Sequence, residues 1–152
     1  MLEQIFVMDE KDRIIISILQ ENSKLSTRQI SKKTQLPITT IHNRIKKMNK
    51  EGIIKNYTIV PDYKKIGMSV LAYIFLKVDY KKLDTKQFKL DLDNVIKPDG
   101  IIESLSYITG STDAVLRIRT NNIESLNRFL ISEIRQFDSI IGTETHIVLI
   151  EH

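Results

Sequence analysis

Thr39, Thr40, His42, Asn43 and Lys46 fall close together in the run ITTIHNRIKKMNK, between Ile38 and Lys50. Their hydroxyl, imidazole, amide and ammonium groups are the donors and acceptors that base edges in a major groove call for. Arg28, Lys32 and Lys33 precede the run, Arg44, Lys47 and Lys50 lie inside it, and Lys55 follows. These cations have the chemistry of phosphate partners. Two of the assignments carry alternatives. His42 bonds a base or phosphate, or merely flanks the helix. Arg44 falls close to an apolar stripe, where an internal ion pair competes with a phosphate contact.

Such groups act together only if a helix presents them on one side. Ile38, Ile41, Ile45 and Met48 recur at spacings of three and four, which predicts one buried stripe. At about 100° per residue, Thr39, Asn43, Lys46 and Lys50 share the opposite face. Pro37 suits the first turn, where its missing N–H is no loss. Upstream, Ser26 and Gln29 form a capping-box pattern, so a helix should begin at Thr27 with Ile30 and Ser31 inward. Thr34 to Pro37 is the turn between the two helices. Asp9 caps an earlier helix, with Glu10 and Asp12 in its first turn and Ile14, Ile15, Ile18 and Leu19 buried. Glu51-Gly52 ends the series, and Ile53 to Val60 is β-branched and reads as a short two-stranded wing. Helix, turn, reading helix and wing make a winged helix-turn-helix.

Charge follows the same division. Residues 1–65 hold 13 Lys and Arg against 7 Asp and Glu, whereas residues 66–152 hold 10 against 12. Residues 24–65 alone hold 11 against 2, so the basic character belongs to one segment and points to a polyanion. A solvated lysine-rich face is the bland alternative. The chain has no cysteine, which excludes disulfides and thiolate chemistry and fits a reducing cytoplasm. Its three histidines, His42, His146 and His152, are scattered, and no metal site is expected. No apolar run reaches membrane-spanning length, and no signal-peptide pattern opens the chain. The five glycines form no phosphate loop or dinucleotide fingerprint, and no serine sits in a nucleophile elbow. Neither an enzyme nor a cofactor is expected.

The second half has a different rhythm. Residues 61–68 have linker chemistry, separating a reading domain at 1–60 from a domain at 69–152. Val70–Val78 alternates as a strand. Asp84 caps a helix reaching Ile96, with Phe88, Leu92, Val95 and Ile96 inward, and Pro98-Asp99-Gly100 is a turn. Strands follow at Ile101–Ile108 and Asp113–Thr120. Asn121 or Asn122 caps a helix with Ile123, Leu126, Leu130, Ile134 and Phe137 inward, and Ile140–Ile150 is the last strand. The order βαββαβ is the ferredoxin-like plan, a four-stranded antiparallel sheet with both helices on one face; the whole chain is thus α+β. Leu71, Tyr73 and Phe75 alternate with Ala72, Ile74 and Leu76, so the first strand is apolar on both sides. That predicts a second subunit over the open face, or cover by the chain's own N-terminal segment.

Asp9-x-x-Asp12-x-x-Ile15-Ile16, Arg44-Ile45-Lys46-Lys47-Met48 and Glu51-Gly52-Ile53-Ile54-x-x-Tyr57 resemble the Lrp/AsnC (leucine-responsive, feast/famine) regulators. So do Thr109-Gly110-x-x-Asp113 and Thr143-x-Thr145-x-Ile147-Val148-Leu149. The resemblance implies a homodimer built through the strand-rich domain, with assembly to tetramers or octamers, acting on double-stranded DNA. It also implies an amino-acid effector held by Gly110, Ser111, Asp113, Thr143 and Thr145. The same residues read equally as turn and strand formers. The sequence departs from the family's pattern at Gln35, where glycine is usual, and at Pro37-Ile38, where Ser-Pro is usual. Three functions compete: a sequence-specific regulator, an architectural DNA-binding protein without an effector, and a ferredoxin-like enzyme or binding domain with an incidental helical appendage.

Overall fold

The computed structural model describes residues 7–96 and 100–151, which form two compact units that meet in sequence at Val60 and Pro61. Met1–Phe6, the Pro98-Asp99 part of the expected turn and the side chain of Val95 lie outside the described residues.

The first unit is three helices: α1 (Glu10–Glu21), α2 (Thr27–Thr34) and α3 (Ile38–Lys50). Both capping patterns form. The Asp9 carboxylate accepts from the Asp12 N–H at 2.9 Å while the Asp12 carboxylate accepts from the Asp9 N–H at 3.2 Å. Ser26 and Gln29 make the same reciprocal pair at α2. Among the described residues of this unit, Ile15, Ile30, Ile41 and Met48 are the fully buried apolar side chains. Ile14 and Ile38, expected inward, are 40% and 45% exposed. Three short helices close on one small centre, so an apolar residue at the margin of its stripe has nothing to cover it.

The turn between α2 and α3 is held by side chains. The Ser31 hydroxyl donates to the Leu36 carbonyl at 2.6 Å, and Thr34 Oγ1 donates to the Ile30 carbonyl while accepting from the Leu36 N–H. Gln35 sits at φ 58°, in left-handed space. Pro37 lies one position before the first turn, with extended ψ, and its carbonyl accepts from the Ile41 N–H. No side chain caps α3.

A third tie joins α3 to the start of α1. Arg44 Nη1 lies 2.7 Å from both Asp9 carboxylate oxygens and 2.8 Å from Asp12 Oδ1. The Asp12 backbone N–H, and after it the Arg44 guanidinium, hold the Asp9 carboxyl below the usual carboxylate range.

Beyond Gly52 the two strands expected of the wing are not paired with each other among the described residues. The Ile53 and Ile54 N–H groups both return to the Met48 carbonyl, and residues 55–60 pair with no strand among the described residues. Those two N–H groups are spent on the end of α3, which leaves residues 55–60 too few for two strands of ordinary length and a turn.

The second unit has strands β1 (Val70–Val78), β2 (Gly100–Tyr107), β3 (Ala114–Thr120) and β4 (Ile140–Ile147), with helices α4 (Thr85–Val95) and α5 (Ile123–Arg128). All pairings are antiparallel in the order β2-β3-β1-β4. Ala72, Ile74, Leu76, Leu116 and Ile118 form the sheet side of the core; Phe88, Leu92, Leu126 and Ile134 form the helix side. After Arg128 the helix widens into a π turn at Phe129–Glu133 and ends in a 3₁₀ turn. Phe129, outside the expected stripe, is buried, and Ile123, expected inward, is 41% exposed. β4 stops three residues before the expected end, although the Val148 N–H still bonds the Leu71 carbonyl.

Three outcomes follow. Gln35→Gly should remove the left-handed penalty and stabilise the helical unit by about 1 kcal/mol, read as a higher melting midpoint. Gly100→Ala would bring a Cβ within 2.5 Å of the Arg119 carbonyl oxygen. It should lower the midpoint by the equivalent of about 1–3 kcal/mol. Because the folded Asp9 carboxyl is held low, its contribution is complete above about pH 4 and is lost as pH falls through the folded value. Asp9→Asn should therefore flatten the acid limb of a circular-dichroism titration; an unchanged limb would remove Asp9 from the account.

Candidate nucleic-acid interface

α3 presents its polar residues as the helical period requires. Thr39, His42, Asn43, Lys46, Lys47 and Lys50 are exposed, and Thr40 is half-buried. Ile41 and Met48 on the opposite side are sealed in the core, which fixes the face that points outward. Arg28, Lys32 and Lys33 on α2 and Lys55 beyond α3 are exposed as well. The absence of a side-chain cap leaves the positive end of the α3 dipole next to Thr39 and Thr40, where negative charge is favoured. The Arg44 guanidinium is engaged by Asp9 and Asp12, in keeping with the internal ion pair. Those residues, with Thr40, Asn43 and Lys47, border a shallow hollow beside α3.

The residues named for an effector lie in the second unit. Gly110 and Ser111 are exposed in the β2–β3 turn, with Gly110 at φ 129°. Asp113 is already employed: its carboxylate accepts from the Val78 N–H at 2.9 Å, and its own N–H donates to the Leu76 carbonyl. Thr143 and Thr145 pair with Leu76 and Ile74, so both lie on the helix side of edge strand β4. Asp113 and Thr143 thus come to the same end of the sheet, while Gly110 and Ser111 sit out at the turn. Among the described residues no cluster of His, Asp or Glu could hold a metal ion, and no helix is long and apolar enough to cross a membrane.

The open sheet face differs from the expectation drawn from β1 alone. Leu71 is buried, and Tyr73 and Phe75 are half-covered, with Phe75 edge-on to His146 at 5.3 Å. Beside them lies a charge network. Arg119 reaches Glu103 at 2.6 Å and Glu151 at 2.7 Å, and Arg117 approaches the same two carboxylates at 2.6 Å. Tyr63 stacks on the Arg119 guanidinium at 4.0 Å. Burial, and then Glu103, push the Tyr63 hydroxyl pKa up, while Arg119 foremost holds the Glu151 carboxyl low. Tyr63, in the stretch read as linker, is therefore held against the sheet. The signal for this network was the alternation Arg117-Ile118-Arg119, which puts both cations on one face of a strand.

Comparison with known proteins bears on both units. Residues 8–55 match the family described as winged helix-turn-helix DNA-binding, and residues 91–152 match the Lrp/AsnC ligand binding domain. The HTH-type transcriptional regulator FL11 of Pyrococcus furiosus is 39% identical over 146 residues, covering 96% of this chain and 92% of its own. The structure of Bacillus subtilis LrpC superposes with TM-score 0.79 at 28% identity, over 97% of this chain and 98% of that one. A Neisseria meningitidis transcriptional regulator in complex with L-methionine shares the fold, with TM-score 0.79 at 20% identity, over 95% and 92%. With a relative this similar along nearly the whole length, and with both halves matched, the chain belongs to the Lrp/AsnC family of transcriptional regulators, joining a DNA-binding helix-turn-helix to a ligand-binding domain.

Proposed function

We propose that the chain is a sequence-specific regulator that binds double-stranded DNA in the cytoplasm as a dimer or higher even-numbered oligomer. The observation that carries this is the composition of the exposed face of α3. Thr39, Thr40, His42, Asn43 and Lys46 read base edges, and Arg28, Lys32, Lys33, Lys47, Lys50 and Lys55 meet phosphates. A purely architectural protein needs the lysines; it has no use for an amide and two hydroxyls on the same surface. Two reading helices about 34 Å apart would enter successive major grooves.

Pairing of two chains is supported by residues 53–60. Residues 55–60 pair with no strand among the described residues, and Tyr57, Ile59 and Val60 are 52%, 75% and 89% exposed. An apolar groove of about 490 Å³ runs beside them, bordered by Ile16, Leu19 and Ile54. For the effector we propose an amino acid, bound at Gly110, Ser111, Asp113, Thr143 and Thr145. The matched ligand-binding domain supports this, as does the L-methionine seen in the Neisseria regulator.

Selection of bound DNA from a random pool, with and without the twenty amino acids, tests the reading. One enriched site whose recovery changes with an amino acid is the expected result. Equal binding to the enriched site and bulk DNA would favour the architectural alternative. Asn43→Ala should weaken the enriched site about tenfold, whereas Lys50→Ala should weaken all DNA alike and lower the salt slope by about one.

A further inference from the structure

We propose that Arg44 is a positioning residue for the reading helix, locking its rotation about its own axis, and that it touches no DNA. The inference rests on the DNA-binding reading above. It begins with how few contacts hold α3. Ile41 and Met48 are its two fully buried side chains, and they lie two turns apart on one line. Two points on a line leave the helix free to roll about it. The half-buried Ile45 braces one flank of that line. Arg44, about 60° to the other side at 100° per residue, braces the opposite flank.

The brace is a three-oxygen grip. Arg44 Nη1 meets both oxygens of Asp9 and one of Asp12, and these two carboxylates are themselves fixed by the backbone N–H groups that start α1. Arg44 therefore clamps α3 to a rigid cap, one turn from Thr40 and next to Asn43. Asp12 is only 5% exposed. A phosphate drawing Arg44 away would leave that carboxylate buried without its cation, next to a second carboxylate. The trio also carries a net negative charge, which repels phosphate.

The clamp and the phosphate reading predict opposite signs. Replacing Asp12 by Asn removes a negative charge beside the DNA and frees the arginine, so electrostatics alone predicts tighter binding. The clamp predicts weaker binding to the selected site. The experiment measures affinity of the full chain for that site and for bulk DNA across a salt series, with Arg44→Gln, Asp12→Asn and the exposed Asp9→Asn. Melting midpoints of Arg44→Gln, Asp12→Asn and their double variant accompany it. We expect all three single variants to lose about tenfold in site-to-bulk discrimination, the worth of one good base contact. The slope of log affinity against log salt should stay unchanged in Arg44→Gln, and the Arg44 and Asp12 changes should be strongly non-additive in melting. A slope reduced by about 0.9 in Arg44→Gln, or tighter binding by Asp12→Asn, would overturn the proposal. Should the buried-site variants fail to fold, Asp9→Asn alone decides, because lost discrimination supports the clamp and unchanged discrimination refutes it. If the unaltered chain prefers no site, the functional reading fails, while the melting coupling still reports the clamp.

Discussion

The reading surface depends on a core of four side chains. Ile15, Ile30, Ile41 and Met48 come one or two from each helix and are the fully buried apolar residues among those described in the first unit. Full burial of each is worth about 1.5–3 kcal/mol, against an ordering cost spread over many more residues. A centre that small leaves much of the geometry to polar devices at the edges. They are all present: reciprocal caps at Asp9–Asp12 and Ser26–Gln29, hydroxyl bonds from Ser31 and Thr34 around the turn, and the arginine bound to two carboxylates. Each is short in sequence or exposed in part, yet together they determine which way Asn43 and Lys46 face.

The second unit is built on the opposite plan. Its core spans both helices and all four strands, and the polar work is concentrated on the far side of the sheet. There Arg117 and Arg119 alternate with core residues along β3, so each step along the strand serves the interior and the network by turns. Tyr63 closes over Arg119, and the stretch after Pro61 becomes part of the sheet's surface.

Much of this was legible in the sequence, and what was not has physical reasons. Cap patterns are local, so α1, α2 and α4 begin where Asp9, Ser26 and Asp84 placed them, and α5 begins after Asn122, one of its two candidate caps. Alternation is local too, and β1 has the expected bounds. Helical period identifies a stripe but not its width: Ile14, Ile38 and Ile123 lie at margins that only neighbouring elements could cover. The winged helix-turn-helix plan was legible, but the pairing of its wing strands was not, because strand propensity says nothing about which strand lies alongside. The left-handed Gln35 was visible as a residue standing where glycine is usual. The partners of Arg44 and Arg119 were not, since Asp9, Asp12, Glu103 and Glu151 are brought to them by tertiary structure. The exposed lysines and Asn43 needed only the helix to be placed, whereas the nominated effector residues needed the sheet register as well.

β2 contains one more residue than its partner between Ile102 and Ser104. Strict alternation would send Ile102 and Leu105, three apart, to opposite faces. With the extra residue they stand opposite Ile118 and Leu116, both on the core side. The irregularity acts as a phase shifter. It resets the strand by half a period, so that one segment keeps two apolar side chains inward and still sends the Glu103 carboxylate to two arginines on the other side. Apolar residues three apart within an otherwise strand-like run are thus a readable mark of such a shift, and the residue they enclose is the one released to serve the opposite face.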